Sequence, residues 1–439
     1  MPKFRITTLG CKVNQAESDS LAQDLITSGW FPTQAGEQAD VCIINTCTVT
    51  QKASMQSRQA IRQAIRVNPN AKIAATGCYA QTSPQDIDRI DGVHYIVGQG
   101  EKHRIVRILR TDADRASDST VSTCTDNWQK GQFDLTPTAI TTPRTRPFLK
   151  IQDGCDAYCT YCIVPYARGC SRSIPLGNVL QGIEDLAQSG FHEVVLTGIH
   201  LGAYGHDLAP ATNLMVLLER IEHLKPITRV RISSIEPFEL TGEIIQCMAE
   251  ADIFCKHFHI PLQSGDDMIL RKMGRPYSRG DFYKLITNIH SKIPNASIGV
   301  DTLIGFPGES ETAFKSTYEL VAELPISYLH VFPFSSRPGT KAAKLPDKVN
   351  LGTIRDRCQQ IRSLGDEKRM KFYRKFIGTV QPVLIETGRD RFSGLLKGIT
   401  SNYLPVLTDG DDHLKNNIVD VNIQKLERDK LFGRCRPTV

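Results

Sequence analysis

The sequence contains no apolar run approaching the roughly 18 residues that a membrane span needs, so it offers no transmembrane helix. Its start, Met1-Pro2-Lys3-Phe4-Arg5-Ile6, reaches the polar pair Thr7 and Thr8 without the apolar core of a signal peptide, and we read a mature cytosolic protein. Cysteine is too sparse for a disulfide scaffold, at 13 in 439 residues. Tryptophan is scarcer still, and the spacing of Trp30 and Trp128 builds no base-stacking platform. A chain with 40% hydrophobic and 23% charged residues and 32 glycines is not globally disordered, collagenous or a coiled coil. Its length corresponds to about three domains of roughly 150 residues, enough to bury cores without staples.

What is present is more specific. In a reducing compartment thiols serve as metal ligands or catalytic groups more often than as bridges. The net charge of +6 is nearly accounted for by one stretch, Arg355 to Lys375, with eight basic and three acidic residues. Such a segment suits a polyanion such as RNA, and equally a solvated helix face.

Three short β-rich runs near the start each end on a turn and a cysteine: Phe4 to Leu9 before Gly10-Cys11, Val41 to Asn45 before Thr46-Cys47, and Ile73 to Thr76 before Gly77-Cys78. Helical stretches separate them, among them Ser54 to Val67 with Ile61 and Ile65 on one face. Strand-helix-strand order implies a parallel sheet with ligands at the carboxyl ends of its strands, where the three cysteines can converge.

From Thr111 to Pro147, Thr, Ser, Asp and Pro dominate without periodicity, as in a linker. Six β-like runs follow, Phe148 to Gln152, Glu193 to Leu196, Arg229 to Ser233, His257 to Pro261, Ser297 to Ile304 and Tyr328 to Pro333, with helical pieces such as Gly242 to Glu250 and Glu311 to Glu323 between most of them. They point to a partial (β/α)6 barrel whose chemistry sits at the carboxyl-end mouth. After Lys375, four short β-rich runs, Thr379 to Glu386, Phe392 to Thr400, Tyr403 to Thr408 and Ile418 to Leu426, fit a small β-barrel of the oligonucleotide-binding type. The expected class is α/β: a parallel α/β domain over 1–110, a linker over 111–140, the barrel over 141–371 and the β module over 372–439.

The sharpest motif is Cys155-Asp156-Ala157-Tyr158-Cys159-Thr160-Tyr161-Cys162, three thiols at CxxxCxxC spacing directly after the first barrel run. Three thiolates on one loop suit three irons of a [4Fe-4S] cluster; a structural zinc ion needs a fourth ligand, for which Cys170 is the nearby candidate. With Tyr161 before its last cysteine, the motif resembles that of the radical S-adenosylmethionine enzymes. The resemblance implies that the iron left open binds S-adenosylmethionine and that its reductive cleavage yields a 5′-deoxyadenosyl radical.

Thr8-Leu9-Gly10-Cys11-Lys12-Val13-Asn14-Gln15, Asn45-Thr46-Cys47-Thr48-Val49-Thr50 and Thr76-Gly77-Cys78 further resemble the N-terminal signature of methylthiotransferases. So do Pro165-Tyr166-Ala167-Arg168-Gly169, Pro261-Leu262-Gln263-Ser264-Gly265, Gly305-Phe306-Pro307-Gly308-Glu309 and Ser336-Arg337-Pro338-Gly339-Thr340, and the last β module resembles a TRAM domain. This implies a second [4Fe-4S] cluster on Cys11, Cys47 and Cys78 that carries the sulfur, one S-adenosylmethionine as methyl donor and a second as radical source. The CKVNQ and NTCTVT runs resemble the branch acting on threonylcarbamoyladenosine of tRNA, rather than those acting on isopentenyladenosine or a ribosomal-protein aspartate. The implied partners are tRNA, a low-potential electron donor and a sulfur donor, without a membrane.

Other candidates are Gly198 and Gly305, as close backbone approaches to S-adenosylmethionine, and Glu236, as an acceptor from a ribose hydroxyl. Tyr161 joins them as a cofactor contact, and Arg168 and Arg172 are expected to meet substrate phosphate. Cys42 reads as buried on its strand, Cys124 sits in the linker, Cys247 in a helix-like run, and Cys255, Cys358 and Cys435 lack partners at ligand spacing. His200, His257 and His259 read as core or rim packing. The rival of a different class is a zinc-stabilised, non-catalytic RNA-binding protein.

Overall fold

The run Val41-Cys42-Ile43-Ile44 is apolar on both sides of its strand, as in a parallel sheet covered on both faces. In the structure, a computed structural model describing residues 1–34, 36–111, 120–124 and 144–436, this run is central to such a sheet. The strands are β1 (Lys3–Thr8), β2 (Phe31–Pro32), β3 (Val41–Thr46), β4 (Lys72–Gly77), β5 (Tyr95–Val97) and β6 (Val121–Ser122), all parallel in the order β2-β1-β3-β4-β5-β6. Helices α1 (Lys12–Thr27), α2 (Gln51–Val67), α3 (Cys78–Thr82), α4 (Pro84–Asp88) and α5 (Ile105–Thr111) connect them. Successive β3 side chains point to opposite faces. Cys42 and Ile44 pack with Ile61 and Tyr79, while Val41 and Ile43 pack with Leu21, Leu25 and Leu109. Cys42 is thus a core residue, and Cys124 packs against the same core, its thiol directed at the Ala80 carbonyl at 3.3 Å.

The chain divides into two compact units. Unit 1 holds 1–141, 150–178 and 335–343, so the CxxxCxxC loop and the Ser336-Arg337-Pro338-Gly339-Thr340 run belong with the N-terminal sheet. Most of the expected linker, Trp128 included, lies outside the described residues.

The expected run from Phe148 to Gln152 is two strands, β7 (Phe148–Lys150) and β8 (Gln152–Asp153), in different sheets. The chain changes partners at buried Ile151, after which β8 pairs antiparallel with β9 (Arg172–Ser173) beyond the short helix α6 (Val164–Arg168).

Unit 2 contains α7 (Leu176–Gln188, from Val179 on), β10 (Glu193–Thr197), α8 (Leu214–Leu224), β11 (Arg229–Ile232), α9 (Gly242–Glu250) and β12 (His257–Gln263). It continues through α10 (Asp267–Met273), α11 (Arg279–Lys292), β13 (Ser297–Ile304), α12 (Glu311–Glu323) and β14 (Tyr328–Pro333). The strands form two three-stranded sheets, β11-β10-β7 and β12-β13-β14, with single parallel bridges Val230–Phe254 and Ser234–His259. Side-chain caps start several helices, among them a Ser278–Asp281 capping box on α11.

The basic stretch lies on α13 (Leu351–Arg374), and part of it is consumed internally. Buried Arg357 pairs with Glu309 and Glu311 at 2.8 Å each, and Lys368 donates to the carbonyls of Ala322 and Leu324 at 2.8 and 2.7 Å. Phe372, Tyr373 and Phe376 then enter the core of a closed barrel. Its strands β15 (Val380–Arg389), β16 (Leu396–Thr400), β17 (Pro405–Thr408), β18 (Ile418–Glu427) and β19 (Lys430–Cys435) run in the order β15-β16-β17-β19-β18. The fifth strand was not expected, and Phe392 is an almost fully exposed turn residue rather than the start of a strand.

Candidate functional site

Cys11, Cys47 and Cys78 follow three adjacent strands. Register pairs Thr8 with Asn45 and Thr46 with Gly77, so β1, β3 and β4 end together. Asn14 fastens these ends, its Nδ2 donating to the carbonyls of Leu9 and Thr46 at 2.7 and 3.1 Å. Asn45 reciprocates through the Asn14 carbonyl at 2.9 Å. Two glycines make the crowding possible. At Gly10, φ +98°, a Cβ would lie 2.9 Å from Cys47 Sγ, and at Gly77, φ +95°, one would lie 2.5 Å from the Thr46 carbonyl oxygen. Cys11 caps α1 and is exposed, whereas Cys47 and Cys78 are buried. Burial pushes the Cys78 thiol up to about 11 against the nearby charge of Arg168.

The second cysteine loop follows β8. Gly154, φ +74°, admits the loop because a Cβ there would collide with the Cys170 carbonyl. The Cys155 amide donates to the Gly169 carbonyl at 3.0 Å and the Cys162 amide to the Cys159 carbonyl at 3.0 Å. The three cysteines and Cys170 are partly exposed. Tyr161 is half-buried, and Tyr158 packs edge-on against Tyr166.

Arg168 departs from expectation. It is fully buried, donating to Glu17 at 2.8 Å, Asp153 at 2.7 Å and Asn14 Oδ1 at 2.5 Å, so its guanidinium is not presented to a phosphate. Lys102 and Lys150 also pair with Glu17, at 2.5 and 3.0 Å. Burial alone would raise the Glu17 carboxyl, but the charges of Arg168, Lys102 and Lys150 outweigh it and hold the group well below the usual range. With Arg172 at the edge, four cations surround two carboxylates and leave an excess of positive charge, the sign that suits thiolate-bound metal clusters. Arg172 is half-buried at the edge, 3.9 Å from Asp153.

Beside these loops lies a cavity of about 890 Å³ lined by Arg58, Tyr79, Asp86, Ile163, Tyr166 and Arg337, among others. Arg58 donates to the Tyr79 hydroxyl at 2.6 Å, which donates to Asp86 at 3.0 Å. Arg337 donates to Thr48 and Ser54 at 2.6 and 3.0 Å.

The remaining candidates belong to unit 2. Gly198 follows β10 and is half-buried. Glu236 pairs with Arg275, and burial pushes its carboxyl up against that pairing. At Gly305, φ +83°, a Cβ would meet Ile354 of α13 at 2.4 Å; packing against this helix accounts for the glycine without a cofactor. His259 hydrogen-bonds Asp301 at 2.9 Å and Tyr328 at 3.0 Å, His257 hydrogen-bonds Tyr328 at 2.8 Å, and His200 faces Glu239 at 2.8 Å. Cys255 and Cys358 are buried.

Residues 3–98 match the Uncharacterized protein family UPF0004, and residues 149–321 match the Radical SAM superfamily. A curated relative, the threonylcarbamoyladenosine tRNA methylthiotransferase MtaB of Aquifex aeolicus, is 38% identical over 93% of this chain and 97% of its own length. The chain belongs to the radical SAM methylthiotransferase family. The Bacillus subtilis MtaB is 36% identical over 95% of this chain and 93% of its own length. A tRNA-2-methylthio-N(6)-dimethylallyladenosine synthase of Pelotomaculum thermopropionicum is 32% identical over 96% and 95%. Among solved structures, the radical S-adenosylmethionine methyltransferase TsrM of Kitasatospora setae shares the fold, with a TM-score of 0.55 at 14% identity over 76% of this chain and 73% of that one.

As a radical SAM methylthiotransferase, this protein is an enzyme of a tRNA-modifying family, whose cofactors are [4Fe-4S] clusters and S-adenosylmethionine. The donor sets fit such clusters: each site offers three thiols, and Gly10 leaves the space beside Cys47 free of a side chain. Among the described residues, no helix is long and apolar enough to cross a membrane.

Proposed function

We propose that the protein converts N6-threonylcarbamoyladenosine, just 3′ of the anticodon in tRNA, into its 2-methylthio derivative, with two S-adenosylmethionine molecules and two [4Fe-4S] clusters. The observation that carries this reading is the set of relatives named for that nucleoside, at 32–38% identity over 92–98% of this chain.

In this reading Cys11, Cys47 and Cys78 hold one cluster and Cys155, Cys159 and Cys162 the other. Bound there, the clusters and S-adenosylmethionine supply the one-electron chemistry and sulfur transfer that side chains lack. The protein supplies position. Gly10 and Gly77 let the strand ends close up, Asn14 fastens them, and the cationic centre at Arg168 offsets thiolate charge. Tyr161, Gly198 and Glu236 are assigned as S-adenosylmethionine contacts, and Arg172 as a contact to tRNA phosphate. The same reading assigns 1–110 to the methylthiotransferase domain, 111–140 to the linker, 141–371 to the radical core with its partial (β/α)6 barrel, and 372–439 to an RNA-binding TRAM domain. The two three-stranded sheets and the closed barrel support the later boundaries, whereas β6 (Val121–Ser122) extends the N-terminal sheet into the stretch read as linker. A low-potential electron donor and a sulfur donor complete the cytoplasmic reaction.

The test is iron, sulfide and zinc content of anaerobically prepared protein, with nucleoside analysis of treated tRNA. About eight irons, falling to about four in Cys155→Ala, are expected. Cys47→Ala is expected to keep 5′-deoxyadenosine formation and lose the 2-methylthio product. Zinc without iron after reconstitution would overturn the reading in favour of a non-catalytic RNA-binding protein, and product from isopentenyladenosine tRNA alone would overturn the substrate.

A further inference from the structure

The cavity beside the cysteine loops has an imbalance of charge. Arg58, Arg337 and Lys52 line it, against Asp86 as the carboxylate. Among the described residues, none of the three cations has a carboxylate within 4.0 Å. Arg58 is bonded to a phenol, Arg337 to two hydroxyls. Arg337 is 7% exposed, and its Nε has no hydrogen-bond partner among the described residues. Burial and the like charge of Arg58 pull Arg337 below the ordinary arginine range. Two guanidiniums that line one partly buried cavity repel each other, and an anion received between them relieves that repulsion. A carboxylate answers both, because its two oxygens accept several charge-assisted hydrogen bonds.

The location narrows the anion. Thr48, which holds Arg337, follows Cys47, Tyr79 follows Cys78, and Ile163 follows Cys162. The cavity is therefore walled by residues next to both cysteine groups. At about 890 Å³ it has room for a modified nucleoside, with Met55, Tyr79 and Tyr166 as apolar wall.

We propose that this cavity is a carboxylate site in which Arg58 and Arg337 receive the threonyl carboxylate of the substrate nucleoside, setting specificity for it over an uncharged adenosine modification. The proposal rests on the threonylcarbamoyl reading above and deepens it. Arg58 and Arg337 determine specificity; neither touches the reacting carbon. A site built for a buried charged group rejects an analogue lacking that charge by a large factor, because its own donors are then left unpaired.

The test uses the full-length, anaerobically reconstituted enzyme and two anticodon stem-loop RNAs. One carries threonylcarbamoyladenosine, the other the same nucleoside with its threonyl carboxylate converted to the primary amide. Wild type is expected to favour the acid in kcat/KM by about a hundredfold or more. Arg58→Gln is expected to lose about ten- to a hundredfold on the acid and little on the amide, with Arg58→Lys recovering part of the loss. Arg337→Lys is expected to narrow the preference in the same direction, with iron content reporting on folding. Unchanged discrimination in both variants would overturn the proposal. Equal losses on acid and amide would also overturn it, assigning the anion to a backbone phosphate or the arginines to packing. Wild type inactive on both RNAs but active on an isopentenyladenosine stem-loop would instead refute the substrate reading itself.

Discussion

Replacing Arg168 by methionine removes the centre of the buried network while keeping an unbranched side chain of comparable reach. The lost bonds go to Glu17 at 2.8 Å, Asp153 at 2.7 Å and Asn14 at 2.5 Å. Removing one member of a buried ion pair costs about 3–5 kcal/mol when the partner is stranded. Here Glu17 keeps Lys102 at 2.5 Å and Lys150 at 3.0 Å, and Asp153 keeps Lys150 at 3.4 Å. With Arg172 at 3.9 Å from Asp153, three cations and two carboxylates remain and neither carboxylate is stranded, so the loss falls near the lower bound, about 3 kcal/mol. Glu17→Gln has the opposite bookkeeping: four cations face one carboxylate, and its cost approaches the upper bound, about 5 kcal/mol. At about 2–4 °C per kcal/mol for a unit of this size, Arg168→Met lowers Tm by roughly 6–12 °C at pH 7, and Glu17→Gln by more. The acid limb supplies a second readout. The folded carboxyl of Glu17 lies below its unfolded value of about 4.3, so its contribution is full above that pH and is lost as pH falls through the folded value. In Arg168→Met that carboxyl moves back towards its ordinary range, and the loss of stability on acidification is shallower. Thermal melts of both variants from pH 3.5 to 7.5 decide the matter. A Tm for Arg168→Met within about 2 °C of wild type, or a milder effect for Glu17→Gln, would refute the charge argument.

Gly10→Ala is expected to cost about half of the bound iron, because its Cβ would lie 2.9 Å from Cys47 Sγ; Gly29→Ala, also at positive φ but with nothing within 4 Å, is expected to lose only stability, on the order of 1 kcal/mol. Equal iron in both variants would show that Cys47 has room to shift. Arg231→Met removes a buried guanidinium that binds Glu193 at 2.7 Å and the carbonyls of Thr400 and Ser401 at 3.1 and 2.9 Å. It is expected to destabilise unit 2 by about 3–5 kcal/mol and to speed proteolytic release of the C-terminal barrel at unchanged iron content, an outcome that unaltered digestion would contradict.

The legible part of this protein is the part written locally. Three β runs that each end in a turn and a cysteine sufficed to align Cys11, Cys47 and Cys78, because parallel pairing fixes strand ends relative to one another. The strands Ser297–Ile304 and Tyr328–Pro333 and the helices Gly242–Glu250 and Glu311–Glu323 have the bounds that pattern predicts. Errors arose where tertiary partners decide. Ile151 ends one strand because Gln152 finds a different neighbour in Ser173, and no local composition announces that change. The basic count on α13 could not tell Arg357, bound to Glu309, from a side chain facing solvent.

Arg168 shows the same limit at the site. Beside a cysteine loop, an arginine reads as a phosphate contact, yet its partners Asn14 and Glu17 lie some 150 positions earlier. One signal was available. Glu17 stands two helical turns into the helix that Cys11 caps, and Asp153 stands two residues before Cys155, so a carboxylate accompanies each cysteine group where the family chemistry already collects negative charge. Acidic side chains in such places need buried cations to be tolerable. Lys102, Lys150 and Arg168 meet that need together, which ties the helix behind Cys11 to the loop of Cys155 through a single charge centre. The arginine that most resembled a substrate contact is therefore spent on architecture, whereas Arg58 and Arg337, which line the cavity without a carboxylate partner among the described residues, carry the proposed anion contact.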